Sequence, residues 1–150
     1  MNTFRATVET IKSDEFFSCI TVYKENTLLK LLKTKTPKWL RVGDEVECRI
    51  QEAAISLCTG EGNVSIENHL LGQLHHFRKG VILSEVSVTT PCGILNSLIT
   101  TDAFERMELC EGRKVTVLVK AIDITLLPII GSTSYEHCTT ALMKVSSNHS

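Results

Sequence analysis

Hydrophobic and polar residues alternate from the start of the chain, where Met1-Asn2-Thr3-Phe4-Arg5 opens a polar–apolar sequence rather than an apolar run. The same two-residue period returns loosely over residues 81–88, which are rich in β-branched side chains, and Val115-Thr116-Val117-Leu118-Val119 has the strongest strand character in the chain. Alternation of this kind puts successive side chains on opposite faces, the mark of a half-buried strand. Pro91-Cys92-Gly93 is a turn signal and predicts a hairpin between the strands that flank it.

The pattern occurs twice. Gly43-Asp44-Glu45-Val46-Glu47-Cys48-Arg49-Ile50 is matched 69 residues on by Gly112-Arg113-Lys114-Val115-Thr116-Val117-Leu118-Val119, and Ile55-Ser56-Leu57 by Ile124-Thr125-Leu126. Nearer each start the spacing is 66: Ile20-Thr21-Val22 stands against Val86-Ser87-Val88, and Leu32-Lys33-Thr34 against Leu98-Ile99-Thr100. Glu25-Asn26 takes the hairpin place of Pro91-Cys92-Gly93.

The difference between the two spacings falls in an insert, Thr36-Pro37-Lys38-Trp39-Leu40 in the first copy and the longer run 102–109 in the second. Both predict a helical turn. Thr36 is placed to cap and Pro37 suits the first helical position, while Asp102 with Glu105 fits a capping box. Gly43 and Gly112 then mark the turn into the next strand.

Each copy thus predicts about five strands and one short helix in roughly sixty residues, the size and order of a five-stranded barrel of the OB class. The fold class is all-β, with two tandem OB-like barrels: residues 1–60, residues 64–128, and a polar tail over 129–150 in which residues 138–145 form at most a short helix. A unit this small has a marginal core, so the copies are expected to pack together through a shared interface or exchanged strands, and the protein to form a homo-oligomer.

Composition narrows the function. A formal charge of -1 gives no field to draw in nucleic acid or an acidic membrane, so any anion site must be built locally. The six cysteines form no C-x-x-C pair, and no secretory start precedes them, which predicts free thiols in a cytoplasmic protein. No Ser/His/Asp or Cys/His arrangement falls on these elements, so an enzyme is not expected. His75 and His76 are neighbours on a strand and point to opposite faces, which argues against a shared metal. Phe16 and Phe17 straddle a strand, so one of them is expected in the core.

The second copy resembles the Mop, or TOBE, domain, an oxyanion-binding unit. Ser65-Ile66-Glu67-Asn68-His69-Leu70-Leu71-Gly72 resembles its opening S-A-R-N-x-L-x-G, and Lys79-Gly80-Val81-Ile82-Leu83-Ser84-Glu85-Val86 resembles K-G-x-V-N-A-E-V. Ser97-Leu98-Ile99-Thr100 resembles S-I-I-T, Leu109-Cys110-Glu111-Gly112 is similar to L-K-E-G, and Lys120-Ala121-Ile122-Asp123-Ile124 to K-A-S-x-V. The first copy joins the resemblance through the internal repeat, as in the tandem form called a di-molbindin.

The resemblance implies binding of molybdate or tungstate between barrels, for storage, homeostasis or sensing. It nominates Lys120 as cation, Ala121 through its backbone, Ser65 and Asn68 in the opening motif, Ser97 and Thr100 in the hairpin strand, and the backbone N–H groups of Gly80 and Val81. Such donors suit a tetrahedral dianion, since amides and hydroxyls supply fixed partial charge and one lysine a full one. Glu67 stands where the family has Arg, Ile122 where it has Ser, Leu83 where it has Asn, and Gln51-Glu52 where Lys120-Ala121 fall in the second copy. These departures keep two alternatives in play: a regulatory or interaction module that has lost the anion, and an OB-type nucleic-acid binder.

Overall fold

The computed structural model describes residues 1–60 and 62–129. In chain order the strands are β1 (Asn2–Ser13), β2 (Ser18–Lys24), β3 (Thr27–Lys33), β4 (Glu45–Ile50), β5 (Ser56–Cys58), β6 (Asn68–Lys79), β7 (Leu83–Thr90), β8 (Gly93–Thr100), β9 (Lys114–Val119) and β10 (Ile124–Pro128). Among the described residues one α-helix, α1 (Thr101–Arg106), follows β8, and two 3₁₀ turns, Glu52–Ala54 and Ala121–Asp123, follow β4 and β9. The strands form two five-stranded sheets, ordered β10-β4-β1-β2-β3 and β5-β9-β6-β7-β8. All pairings are antiparallel.

The last strand of each half belongs to the other half's sheet. β10 pairs with β4, Ile124 opposite Ile50, and β5 pairs with β9, Ser56 opposite Leu118. The core is correspondingly continuous: Phe4, Ile20, Leu31 and Val46 from the first half share one buried cluster with Leu74, Val86, Val117 and Ile124 from the second. Of the two ways of pooling two small cores, the molecule uses exchanged strands. The thiols of Cys19, Cys48, Cys58, Cys92 and Cys110 are free. Burial pushes that of Cys48 up to about 12 and that of Cys92 to about 11. Cys138 lies outside the described residues.

The repeat is visible in small details. β1 bulges between Val8 and Thr10, and β6 between Leu74 and His76. At each bulge a glycine closes the approach: Gly43 N–H donates to the Val8 carbonyl and Gly112 N–H to that of Leu74, both at 2.8 Å. Both glycines have left-handed φ (95° and 83°), which a residue with a Cβ adopts only with strain. The hairpins predicted at Glu25-Asn26 and at Pro91-Cys92-Gly93 are present, with Lys24 opposite Thr27 and Thr90 opposite Gly93.

Several local expectations are corrected. The insert in the second copy is a helix, but its cap is Thr100, whose hydroxyl accepts from Ala103 N–H at 3.1 Å; Asp102 lies inside the first turn. The shorter insert closes one turn only, Leu40 N–H to the Pro37 carbonyl, because buried Trp39 and Leu40 leave too few residues for more. Its Thr36 hydroxyl bonds those of Ser13 and Ser18 instead of capping. Phe16 and Phe17 are both exposed: the Asp14 carboxylate accepts their two N–H groups and folds them into a turn off the strand. The bulge breaks the alternation at His75 and His76, and both are exposed. β7 begins at Leu83, with Val81 and Ile82 in the turn before it. The tail beyond residue 129, including 138–145, lies outside the described residues.

Candidate functional site

The nominated residues separate into three places. Asn68 begins β6 opposite Val119, the last residue of β9, so Ser65, Lys120 and Ala121 lie close by in sequence around the end of that ladder. Gly80, Val81 and Thr100 lie together at another corner, where Thr101 N–H donates to the Ile82 carbonyl and Leu83 pairs with Thr100. Ser97 belongs to neither, because its hydroxyl donates to the Ile55 carbonyl at 2.7 Å, beside the first-half 3₁₀ turn.

Several of these groups are already engaged in holding the fold. Asn68 is buried, with its Oδ1 accepting from Lys30 N–H at 2.8 Å and its Nδ2 donating to the Lys30 carbonyl at 2.9 Å. It thereby supplies a strand-like partner to the open edge of β3. Asn2 does the same for Asn96 on the edge of β8, with both bonds at 2.8 Å. The two clamps are related by the repeat, since Asn2 and Asn68, like Lys30 and Asn96, stand 66 residues apart. Thr100 caps α1.

Gly80 is structural as well. Its N–H donates to the Leu83 carbonyl at 3.0 Å, and its carbonyl accepts from the Thr101 hydroxyl at 2.8 Å. A Cβ there would meet the Leu83 carbonyl oxygen at 2.4 Å, so only glycine closes this turn. Val81 is 92% exposed.

The first place lies beside a strand that carries two lysines. The 3₁₀ turn Ala121–Asp123 packs against β3 of the other half, which brings in two lysines that sequence reasoning did not nominate. Lys33 is half-buried, its ammonium donating to the Ile124 carbonyl, and burial pushes its pKa below the ordinary lysine value. Lys30 Nζ lies 3.3 Å from Glu67 Oε1. Lys120, exposed, heads the turn, and its carbonyl accepts from Asp123 N–H at 3.0 Å. Lys33 therefore reaches the strand that follows the turn and Lys120 heads the turn, while Lys30, on the opposite face of β3, pairs with the carboxylate that replaces the family's arginine.

The equivalent corner of the first half differs in kind. Gln51 and Glu52 take the places of Lys120 and Ala121, and Asn96 and Ile99 those of Lys30 and Lys33. Glu52 Oε2 lies 2.6 Å from the Met1 ammonium, which holds its carboxyl below the usual range. Among the described residues no group of three or more His, Cys, Asp or Glu side chains is placed to hold a metal ion, and no helix is long and apolar enough to cross a membrane.

Known proteins resemble the chain in the half that carries the lysine corner. The TOBE domain matches residues 64–126. Molybdenum-pterin-binding proteins 1 and 2 of Clostridium pasteurianum are each 32% identical over 66 residues, 43% of this chain and 97% of each relative. Among solved structures, the cytoplasmic molybdate-binding protein ModG, crystallised with molybdate bound, superposes with a TM-score of 0.79 at 22% identity. That match covers 83% of this chain and 94% of ModG, and it extends the likeness of fold well beyond the second half. With two relatives matched almost from end to end, this chain belongs to the Mop/TOBE domain family.

Proposed function

We propose that the chain binds a tetrahedral oxyanion of the molybdate or tungstate class at the corner made by Lys120, the turn Ala121–Asp123 and the β3 lysines, and that it serves as an intracellular store or sensor without catalysing a reaction. The observation that carries this reading is the packing of β3, with Lys33 bonded to the Ile124 carbonyl, against the turn that Lys120 heads, in the half that aligns with molybdenum-pterin-binding relatives. Exposed Ser65 and the backbone of Ala121 are the neutral donors nearest in sequence to the ladder end. A dianion held by one charge-assisted bond to Lys120 gains about 1.5–3 kcal/mol from it. Lys120→Ala is therefore expected to weaken molybdate binding by roughly tenfold to a hundredfold in titration calorimetry, with the circular dichroism unchanged. No heat from the folded wild-type protein at millimolar molybdate or tungstate would sink the reading.

A second reading has specific support. Asn68, Ser97, Thr100 and Gly80 spend their hydrogen bonds inside the protein, which is what a scaffold that has lost its guest would keep. The same titration separates the two.

The proposal extends to a homo-oligomer. Exposed apolar residues recur at the repeat spacing: Phe16 with Ile82, Phe17 with Leu83, and Leu28 with Ile94. A second copy that covers them removes apolar surface from water. Sedimentation is expected to give a mass above the 16.7 kDa of one chain, lowered by Phe16→Asp with Ile82→Asp. A monodisperse monomer at high concentration would contradict it.

A further inference from the structure

Glu67 is the one carboxylate paired within the proposed corner, and its position is not accidental to the fold. Its neighbour Asn68 grips the backbone of Lys30 through both amide atoms, and the Lys30 side chain returns to Glu67 at 3.3 Å. Backbone clamp and ion pair thus join the same short stretch, 67–68, to the same residue of the opposite half. Both charged side chains remain about half exposed, at 52% for Lys30 and 48% for Glu67, so the pair can part without opening the core. Antiparallel pairing of Asn68 with Val119 puts Glu67 and Lys120 one step beyond the end of the β6–β9 ladder, on either side of it. An oxyanion held by Lys120 would therefore approach the Glu67 carboxylate.

We propose that Glu67 is a built-in competitor for this corner: its carboxylate occupies Lys30 while the corner is empty and must give Lys30 up to the arriving oxyanion. This rests on the oxyanion reading above and adds to it a group that sets affinity. Lys30, contributed by the first half, is then shared between an internal carboxylate and an external dianion. Removing the carboxylate frees one cation and deletes one repulsion. Exposed ion pairs contribute up to about 1 kcal/mol, so at low salt the tightening expected from Glu67→Gln is about fivefold for molybdate.

The repulsive part of the effect scales with the charge of the guest. Perrhenate, a tetrahedral monoanion, should therefore tighten less than molybdate, by a factor no smaller than about the square root of molybdate's. The gain should shrink for both as sodium chloride approaches half-molar, where the screening length is only a few ångströms.

The test is calorimetric titration of the full chain with molybdate and with perrhenate. Wild type, Glu67→Gln, Glu67→Ala, Lys30→Met and Lys120→Ala are compared, each matched by a thermal melt. The proposal expects both Glu67 variants to tighten molybdate more than perrhenate in a salt-dependent way, and Lys30→Met to weaken it severalfold. It is overturned if the Glu67 variants leave affinity unchanged or weaken it, or if the gain is equal for the two anions and indifferent to salt. If wild type binds and Lys120→Ala weakens it while Glu67→Gln has no effect, only the competitor role falls. If no folded variant binds either anion, the oxyanion reading falls with it.

Discussion

Expressed apart, residues 1–60 and residues 64–150 are not expected to fold as monomers. The first piece keeps β1 to β4 but lacks β10, whose Ile124 and Leu126 are buried in its sheet, and its own β5 is left without β9. The second piece loses β5, and with it the cover that buried Ile55 gives beside Ser97. Emptying the places of two large buried side chains costs about 4–10 kcal/mol, comparable with the whole stability of an ordinary domain. The open flank of β4 would further present unpaired backbone groups. Mixing the pieces should restore strand content and a cooperative melt, at the mass that the intact chain shows under the same conditions. Each piece alone should be unfolded or associate with itself. A monomeric, cooperatively melting fragment of either half would show that the exchanged strands are dispensable.

The second large effect is expected at Asn68. Substitution by alanine removes two hydrogen bonds and leaves the N–H and carbonyl of Lys30 without their partner at a part-buried edge. Unsatisfied groups of this kind cost about 1–3 kcal/mol each, so Asn68→Ala should destabilise by roughly 3 kcal/mol. For a chain of this size that corresponds to a fall in Tm of roughly 6–12 °C. Asn2→Ala should behave alike, because its clamp on Asn96 repeats the geometry. A residue whose sole role is to contact the anion would change binding and leave the melt in place, so an unchanged Tm for Asn68→Ala would refute the clamp.

Glu67 and Lys30 show why site residues are harder to read than folds. Glu67 departs from the family pattern, and in sequence it looks like an obstacle to binding an anion. Its pairing with Lys30 depends on β3 of the first half lying beside the start of β6, and local spacing does not encode that proximity. Ser97 is the converse case. It sits in a motif of the second half, but exchange of β5 brings Ile55 to it and uses its hydroxyl. One clue was available in the sequence: Asn2 precedes Asn68 by the repeat spacing, and a recurring asparagine at the start of a strand points to a structural duty in both copies.

What the sequence determined by itself was local and periodic. Alternating side chains specified the strands, the paired spacings revealed the duplication, and Gly43 and Gly112 marked the left-handed turns, because each depends on residues near one another in the chain. Which strand completes which sheet was decided only in three dimensions. Two halves of nearly the same pattern offer β5 and β10 almost interchangeable partners, and the choice falls to the packing of the shared core and the asparagine clamps at its edges. That choice also set β3, with Lys30 and Lys33, beside the start of β6 and the turn after β9.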